Sequence, residues 1–394
     1  MNLVPFFQTC HDALYKESTM ALRILVIGAY GNFGRIISGH LNRMPGVEQV
    51  IAGRDEQKLS RRIAELQTPA GSLHDSWCGD AMAPGFAEIL ERLDINWVIH
   101  TGGPFQGQPY TVAEACIAAG VNYCDLSDCR FFVNRINSLD EHARQAGVTI
   151  LSGCSSVPSL SSAIIDEQRH RFQRIDSIEH GISSSAKMPG LSTVEGVLAY
   201  AGRPIRQLRD GHPCDVTGWQ GLALRRLPGL GWRLLANVDV PDMDIFATRY
   251  GARTLSFKAG SGLKSGGIAN ALLAQAVKSG LVRDPLPWAR RLHRWGGRFE
   301  RWGDGKSAMY IDVQGIGDTG HPLSLSAQVI AFDDKGPEIP SCAAVALMAK
   351  VVGGYRPAPG ARPCVGEINV QEYLTAIGEP EKVHYSVRYQ GGTA

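Results

Sequence analysis

Long apolar runs and targeting signals are missing from this sequence. No run reaches the roughly 18 apolar residues that a transmembrane helix requires. Residues 1–19 lack the basic stretch and the apolar core of a signal peptide. We therefore expect a cytoplasmic protein without a membrane span, in which residues 1–20 are an extension outside the folded core.

An excess of one charge is missing as well. Lys and Arg total 40, Asp and Glu total 38, and the formal net charge is +2. No long block of like charge interrupts this balance. Nucleic acid is therefore not expected as a main partner, because charge-run patterns typical of nucleic-acid binding are absent.

Paired cysteines are a third absence. The nine cysteines include no CxxC pair and stand singly, as at Cys78, Cys116, Cys154 and Cys342. This pattern predicts neither a disulfide framework nor a zinc site. We expect free thiols in a reducing compartment and no bound metal.

What the sequence does contain is enough chain for two domains. At about 150 residues per domain, the 394 residues favour two. Hydrophobic residues make up 44%, and the chain has 45 glycines and 21 prolines. This composition suits a globular enzyme with many tight loops, and it excludes disorder and coiled coil as the main state.

The first part of the chain alternates between strand and helix patterns. Residues 21–27 form an almost continuous apolar run of branched side chains, typical of a strand buried on both faces of a parallel sheet. Further strands are predicted at 47–52, near 73, and at 96–101, 121–125 and 148–151, with helices at 33–41, 56–66, 86–93, 110–119 and 131–146 between them. The predicted fold class is therefore α/β, with a doubly wound parallel sheet of the Rossmann kind over residues 21–152.

Beyond residue 153 the pattern changes. Several segments alternate apolar and polar residues, which predicts a mostly antiparallel sheet with helices on one face, an α+β arrangement. The predicted strands are 177–183, 253–258, 309–315 and 323–332, and the predicted helices are 193–200 and 268–281. A short apolar helix is expected at 342–352, followed by a loop at 356–362.

Three glycines follow the first predicted strand immediately. Gly28, Gly31 and Gly34 give the pattern GxxGxxG at the start of the next predicted helix. In a dinucleotide-binding turn the first glycine permits the tight turn, the second lets the backbone approach the pyrophosphate, and the third lets helix and strand pack closely. Free amides at the helix N-terminus then hold the phosphates. A plain structural turn is the alternative.

A cation stands at the end of the second predicted strand. A ribose 2′-hydroxyl usually meets a carboxylate at this position, whereas a 2′-phosphate requires a cation. Arg54 comes first here and Asp55 second, and a guanidinium can pair with phosphate, so NADP is favoured over NAD. Arg35 is a second candidate for the 2′-phosphate. In the alternative, Arg54 is solvated and Asp55 simply caps the next helix.

The loop after the fourth predicted strand, residues 100–107, is expected beside the nicotinamide. Ligands of open α/β sheets lie beyond the carboxyl ends of the strands, and Gly102 and Gly103 would let the backbone pass close to the ring. His100 could act as an acid or base, or it could be a hydrogen-bonded core residue.

Tyr123, Asp125 and Asp128 follow the fifth predicted strand in the same region. Capping and turn formation are at least as good an account of them as a chemical role.

Four stretches of the chain resemble one family. The stretches ILVIGAYGNFGRII, AGRDEQKL, GGPFQGQPYTVAEACIAAGVNYCDLSD and GVTILSGCSSVPSLSSAIID lie within residues 22–166, and together they resemble the saccharopine dehydrogenase-like oxidoreductases. Farther on, VDVPDMDIF, GIGDTG, GPEIP and GARPCVGEINVQEYL are similar to the tail of the same group.

The resemblance implies a saccharopine dehydrogenase NADP-binding domain, a substrate or dimerisation domain over residues 153–338, and a C-terminal segment, 339–394, that returns to the first domain. It supports the glycine turn, Arg54 and the loop at 103–105 as cofactor contacts, whereas no substrate-binding residue carries over. The expected cofactor-binding set is Gly28, Tyr30, Gly31, Asn32, Phe33, Gly34, Arg35, Arg54, Gly102, Gly103, Pro104 and Phe105.

Hydride transfer usually needs a proton donor beside the acceptor atom. Lys187, in SSSAKMPG, is favoured because a loop lysine can be desolvated and titrate near neutrality. A solvated lysine is the alternative. His100 and Asp125 are the other catalytic candidates.

Two further features of the second half remain open. The carboxylates of VDVPDMD, which are Asp239, Asp242 and Asp244, could bind a cationic amine or form a turn around Pro241. Cys154 either faces the cleft or is a small buried apolar residue.

These patterns predict an NADP-dependent oxidoreductase that transfers hydride to or from a C=N or C=O bond of a small metabolite, an amino-acid adduct being one option. The alternatives are a non-catalytic dinucleotide-binding protein, structural or regulatory, and an enoyl reductase. The expected partners are a small-molecule substrate and, as one option, a second copy in a homodimer.

Overall fold

The computed structural model describes residues 21–68, 71–187, 190–289 and 304–391. The extension expected at residues 1–20 lies outside the described residues. Within the described part, no helix combines the length and the apolar character needed to cross a membrane.

Seven strands form a first sheet in which every neighbouring pair is parallel. The spatial order is β15-β6-β5-β4-β1-β2-β3. The strands are β1 (Leu22–Ile27), β2 (Val47–Gly53), β3 (Leu73–Cys78), β4 (Trp97–His100), β5 (Asn122–Asp125), β6 (Thr149–Ser152) and β15 (Gly360–Pro363). The chain runs outward from β1 in one direction and then from β4 in the other, so the predicted doubly wound sheet is confirmed. The strand order reverses between β1 and β4, where such sheets bind their ligands.

Seven helices connect and cover these strands. They are α1 (Asn32–Leu41), α2 (Glu56–Leu66), α3 (Phe86–Arg92), α4 (Thr111–Ala118), α5 (Arg130–Arg135), α6 (Asp140–Gln145) and α7 (Ser161–Gln168). The apolar side chains of β1 alternate between two cores. Leu25 packs with the core that includes α3 and α4, and Ile24 and Val26 pack with the core that includes α1 and α2.

The prediction of a single helix over residues 131–146 is wrong. A 3₁₀ turn at Ile136–Leu139 separates α5 from α6. Ile136 is buried in the core beneath the sheet, and the Asp140 carboxylate that opens α6 accepts the Ala361 amide of β15 at 2.9 Å. The bend therefore serves a tertiary contact more than 200 residues away, which helical periodicity does not report.

The second sheet has nine strands and is mixed. Its main order is β10-β11-β12-β7-β13-β14-β16, and β8, which also pairs with β9, pairs with β12 off this path. The strands are β7 (Phe172–Ser184), β8 (Pro204–Arg209), β9 (His212–Thr217), β10 (Ala223–Leu227), β11 (Gly231–Asn237), β12 (Thr254–Ser261), β13 (Ser307–Gly317), β14 (Pro322–Ala331) and β16 (Val383–Gly391). Among the described strands of this sheet only the β7–β12 pair is parallel, which confirms the mostly antiparallel prediction.

The other α-helices of the described residues are α8 (Leu191–Ala199), α9 (Asp242–Tyr250), α10 (Lys264–Lys278), α11 (Glu338–Val352) and α12 (Val370–Ile377). Most residues of α11 are buried, as expected for a helix that is apolar on all sides. At its first turn, Glu338 accepts a hydrogen bond from the Cys342 thiol and lies 2.9 Å from His40 of α1. This polar contact fixes α11 against the first domain.

The C-terminal segment, expected to return to the first domain, divides between the two sheets. β15 pairs with β6 of the first sheet, whereas β16 pairs with β14 of the second. The stretch 356–362, predicted as a loop, includes the start of β15. That strand is only four residues long and contains Gly360 and Pro363, so its sequence shows a turn pattern and not a strand pattern.

Candidate functional site

The glycine turn closes tightly between β1 and α1. Gly28 has a φ of +80°, and a Cβ added there would lie 2.7 Å from Oγ1 of Thr101. A Cβ on Gly34 would collide with the carbonyl group of Gly28. Thr101 in turn donates its hydroxyl to the carbonyl of Ile27 at 2.7 Å. Two of the three glycines are therefore required by the fold itself.

Gly31 differs from the other two glycines. It is exposed, has a negative φ of −72°, and a Cβ added there would meet only the Gly28 carbonyl oxygen, at 3.1 Å. The first helical bond runs from Arg35 to Gly31, and among the described residues the amides of Asn32, Phe33 and Gly34 have no acceptor. This geometry fits a dinucleotide pyrophosphate, because open amides converge at a helix N-terminus over a backbone that carries no side chain.

Tyr30 and Arg54 lie at the end of β2. The Tyr30 hydroxyl accepts the amides of both Arg54 and Asp55, each at 3.0 Å. Asp55 caps α2, because its carboxylate accepts the Lys58 amide at 3.0 Å. Among the described residues the exposed Arg54 guanidinium has no partner, so it is the group here that is free to pair with an anion.

Arg35, the second cation considered for a 2′-phosphate, is already paired. Its guanidinium donates to Glu65 of α2 at 2.9 Å, and its carbonyl accepts from the largely buried Arg62 at 2.6 Å. Arg35 thus ties α1 to α2, which leaves Arg54 as the stronger candidate.

The loop after β4 crosses the carboxyl end of the sheet. Gly103 donates its amide to the carbonyl of Thr101, while Phe105 is buried with its ring edge-on to His100, at a centroid distance of 5.2 Å. Residues 102–104 are partly exposed, and the Gly102 amide nitrogen lies 3.5 Å from the position of a Cβ added to Gly28 in the glycine turn. This is the position expected for the nicotinamide side of a cofactor.

His100 and Asp125 are direct partners in the β4–β5 register, and both are buried. Burial lowers the pKa of His100 to about 4, so its imidazole is neutral at pH 7, and its Nδ1 lies 3.2 Å from the Tyr123 hydroxyl. Burial raises the pKa of Asp125 to about 6, while one carboxylate oxygen accepts from Ser152 and from the amides of Ser127 and Gly153. Both residues therefore lie buried at the carboxyl ends of β4 and β5.

Helix α8 of the second domain lies over the same region. A Cβ on Gly190, which precedes α8, would be 3.8 Å from Cβ of Asn32 in the glycine turn. A Cβ on Gly196, in the middle of α8, would be 3.0 Å from Nε2 of Gln106 in the loop after β4. Helix α8 therefore extends over both the turn expected to hold the pyrophosphate and the loop expected beside the nicotinamide.

Lys187 lies three residues before Gly190, at the end of the described segment that follows β7. Its side chain is exposed, and its amide donates to the Ser185 hydroxyl at 3.3 Å. Because three residues span at most about 11 Å of extended chain, Lys187 lies within that distance of Gly190, which borders the glycine turn.

Asp128 and Tyr200 interact in the region that follows β5, and the sequence singled out Asp128 but not Tyr200. Desolvation raises the pKa of the Asp128 carboxyl, opposed by hydrogen bonds that include one from the Gln106 side chain. Tyr200 stacks on Trp219 at 6.5 Å, and burial together with the charges of Asp128 and Asp239 raises the pKa of its phenol. Only the position of Asp128 after β5 was visible in the sequence.

The aspartates around Pro241 hold the domains together. Arg130, at the start of α5, donates to Asp239 at 3.0 Å and to Asp244 at 2.7 Å. Asp242 accepts from Ser161 of α7 and lies 3.2 Å from the buried His180. The turn expected here is instead the start of α9, and its carboxylates face protein cations and donors.

Cys154 is fully buried and contacts the thiols of Cys124 and Cys364; the Cys124 contact and burial raise its pKa, whereas the Cys364 contact lowers it. It behaves as a small apolar core residue, the second of its two predicted roles.

Comparison with known proteins identifies relatives of the first domain. Residues 24–151 match the family described as the saccharopine dehydrogenase NADP binding domain. A Mycobacterium tuberculosis protein with the provisional name trans-acting enoyl reductase is 30% identical over 146 residues, which are 34% of this chain and 33% of that protein. A trans-acting enoyl reductase of Mycobacterium ulcerans is 29% identical over 141 residues, with the same coverage of 34% and 33%. The match therefore spans about a third of the length of these relatives.

The solved structures extend the likeness to the whole fold. The histidine-tagged apo saccharopine dehydrogenase (L-Glu forming) of Saccharomyces cerevisiae aligns with a TM-score of 0.65 at 11% identity, covering 94% of this chain and 100% of that one. At this identity the likeness concerns the fold alone. The first domain of this chain belongs to the saccharopine dehydrogenase NADP-binding domain family, and the chain as a whole has the fold of saccharopine dehydrogenase.

Proposed function

We propose that this protein is an NADP-dependent oxidoreductase that transfers hydride to or from a C=N or C=O bond of a small metabolite. The observation that carries the proposal is the combination of open amides after Gly31 with an unpaired guanidinium at Arg54, at the two positions where a Rossmann domain receives the pyrophosphate and the adenosine ribose. When bound there, the cofactor supplies or accepts the hydride.

The residues of this chain would then bind the cofactor, cover it and orient it. The amides of Asn32, Phe33 and Gly34 hold the pyrophosphate, and Arg54 pairs with the 2′-phosphate. Helix α8 and the loop at 102–105 exclude water from the nicotinamide side. Lys187 is the proposed proton donor to the reacting nitrogen or oxygen, because it stands in the chain between β7 and α8, the helix that contacts the glycine turn and the loop after β4.

Reduction of a C=C bond is the second candidate, because relatives that match the nucleotide-binding part are named as enoyl reductases. The likeness to them covers the cofactor half only, so it bears on the hydride donor more than on the acceptor. A purely structural or regulatory use of the dinucleotide is the non-catalytic alternative.

Cofactor titration of the full chain tests the first step. Arg54→Ala should weaken NADPH binding by about 1.5–3 kcal/mol, the size of a lost hydrogen bond to a charged group, and leave NADH binding unchanged. Arg61→Ala is the matched control, since Arg61 is an exposed arginine of α2 without a partner among the described residues. Equal losses for both cofactors would exclude the assignment of Arg54.

A substrate screen tests the second step. NADPH oxidation should be followed with keto acids paired with amines, with simple carbonyl compounds and with enoyl thioesters. Turnover in the first two groups supports the proposal, turnover with enoyl thioesters alone supports the second candidate, and NADPH binding without any turnover favours the non-catalytic alternative.

A further inference from the structure

Tyr30 occupies an unusual position for a residue inside a phosphate-binding turn. Its side chain leaves the turn and crosses the end of β2, where a Cβ on Gly53 would collide with its ring. Its hydroxyl is the common acceptor of two consecutive amides, those of Arg54 and Asp55. The contact joins the first βα turn to the second across 24 residues of sequence.

Two backbone amides that point at one oxygen form an arrangement that elsewhere binds anions. Here the phenol oxygen of Tyr30 fills that position with its two lone pairs. A phenol that accepts two hydrogen bonds still has its own proton to donate. Among the described residues no acceptor for the Tyr30 proton is found, so the hydroxyl presents an unused donor at the end of β2.

The other polar groups around this point are accounted for. The Asp55 carboxylate accepts the Lys58 amide in the cap of α2 and lies 3.3 Å from Lys58 Nζ, so both of its contacts stabilise the start of this helix. The Lys58 ammonium also lies 5.9 Å from the centroid of the Tyr30 ring. Among the described residues two donors here are left without a partner, the Tyr30 hydroxyl and the guanidinium of Arg54, whose own backbone amide donates to that hydroxyl.

We propose that Tyr30 is a specificity-determining residue that binds the 2′-phosphate of adenosine together with Arg54. Its hydroxyl donates to a phosphate oxygen, and by holding the Arg54–Asp55 peptide it fixes the backbone from which Arg54 reaches the same phosphate. The Tyr30 hydroxyl accepts two hydrogen bonds and has one proton left to donate. Together with a guanidinium, this donor favours a dianionic phosphate over a neutral ribose hydroxyl. This inference rests on the proposed cofactor site and names the group that the site selects.

The test uses the full chain and two nucleotide fragments, adenosine 2′,5′-bisphosphate and ADP, titrated by calorimetry. The wild-type protein should bind the 2′-phosphorylated fragment more tightly. Tyr30→Phe removes the donor and keeps the ring over Gly53, so the preference should fall by tenfold or more, while ADP affinity stays within about twofold and shows that the turn is intact. Tyr385→Phe, which removes a hydroxyl bonded to Glu167 in the second domain, should change neither affinity.

Each other outcome has a distinct meaning. Loss of affinity for both fragments in Tyr30→Phe, or no change in the preference, would overturn the role of Tyr30 while the cofactor site stands. A wild-type protein that binds neither fragment would overturn both the inference and the proposed function. In a double variant with Arg54→Ala, the losses should be clearly less than additive, because Tyr30 acts partly by placing Arg54; fully additive losses would restrict Tyr30 to its own hydrogen bond and contradict the positioning role.

Discussion

The three glycines of the turn at residues 28–34 differ in how much space an added side chain would have. Gly28 meets the Thr101 side chain and Gly34 meets the Gly28 carbonyl group, so both are constrained from within the protein. Gly31 faces outward and has space for a small side chain if the Gly28 carbonyl shifts by a few tenths of an ångström. Its lack of a side chain matters for what approaches from outside.

Gly31→Val should therefore fold and fail to bind either NADPH or NADH, because the branched side chain would stand where the pyrophosphate approaches the backbone. Circular dichroism and thermal unfolding check the fold, and calorimetry checks the binding. Gly34→Ala is the informative contrast, since its Cβ collides with the turn itself and should lower stability. Unchanged dinucleotide affinity in Gly31→Val would show that the turn does not hold phosphates.

At the scale of elements, β4 and β5 carry a buried pair with opposite titration behaviour. The folded pKa of His100, about 4, lies below its ordinary value of 6.5, so the folded state binds fewer protons than the unfolded state between these values and stability is lost as pH falls. The folded pKa of Asp125, about 6, lies above its ordinary value of 3.8, so stability is lost as pH rises from about 4 to 6. The two slopes oppose each other.

Replacing either His100 or Asp125 should reveal the pH dependence of stability that the other residue contributes. Relative to the wild type, His100→Gln should lose stability between pH 4 and 6 as the pH rises, and Asp125→Asn should gain it, each by about 3 kcal/mol across the window. Urea unfolding at several pH values measures this, and the slopes are compared because either substitution lowers absolute stability. Parallel pH profiles for all three proteins would refute the opposing titrations.

The elements that sequence patterns predict are those whose signal is local. The helix at Glu56–Leu66 is predicted with its observed bounds, because Asp55 caps it and its apolar spacing is regular. The four strands between Pro204 and Asn237 are not predicted, because they are short and carry charged side chains such as Arg225, which pairs with Glu179 across the sheet. Helix α9 is also missed, although Pro241 followed by Asp242 and Asp244 is a favourable helix start.

The candidate site likewise contains residues that the sequence identifies and residues that it does not. The glycine turn and Arg54 are visible in the sequence, because a Rossmann domain places its ligands at fixed offsets from the first two strands. The hydrogen bonds of Tyr30, and the contacts that α8 makes with Asn32 and Gln106, are not visible, because they join segments far apart in the chain. The placement of Lys187 and the interaction of Asp128 with Tyr200 depend on how the second domain packs, which spacing alone does not reveal.

At the scale of the whole molecule, one apolar core runs through both domains. It includes Val26 of the first sheet, Leu347 of α11 and Phe257 of the second sheet. Arg130 adds a polar contact between the domains near the cleft. The cleft is therefore held by two packed bodies, and its chemistry depends on residues that each domain contributes.

Lys187→Ala tests the contribution of the second domain. With a substrate found in the screen, kcat should fall by about 10²–10⁴-fold, the usual effect of a lost general acid, while NADPH affinity stays unchanged. Lys278→Ala, at the exposed end of α10, is the control. Equal activity of the two variants would leave Lys187 as a solvated surface residue.

The division of the C-terminal segment between both sheets has a consequence for biosynthesis. β15 completes one edge of the first sheet and β16 completes one edge of the second, although all the other strands of both sheets precede residue 332. During translation the ribosome therefore releases the N-terminal domain with an unpaired edge at β6, and α11 is not yet available to cover its apolar face. Nascent domains with uncovered apolar surface and unpaired strand edges are the species that aggregate and engage chaperones. The first sheet can therefore be completed only after residue 363 has emerged, and the second only after residue 391.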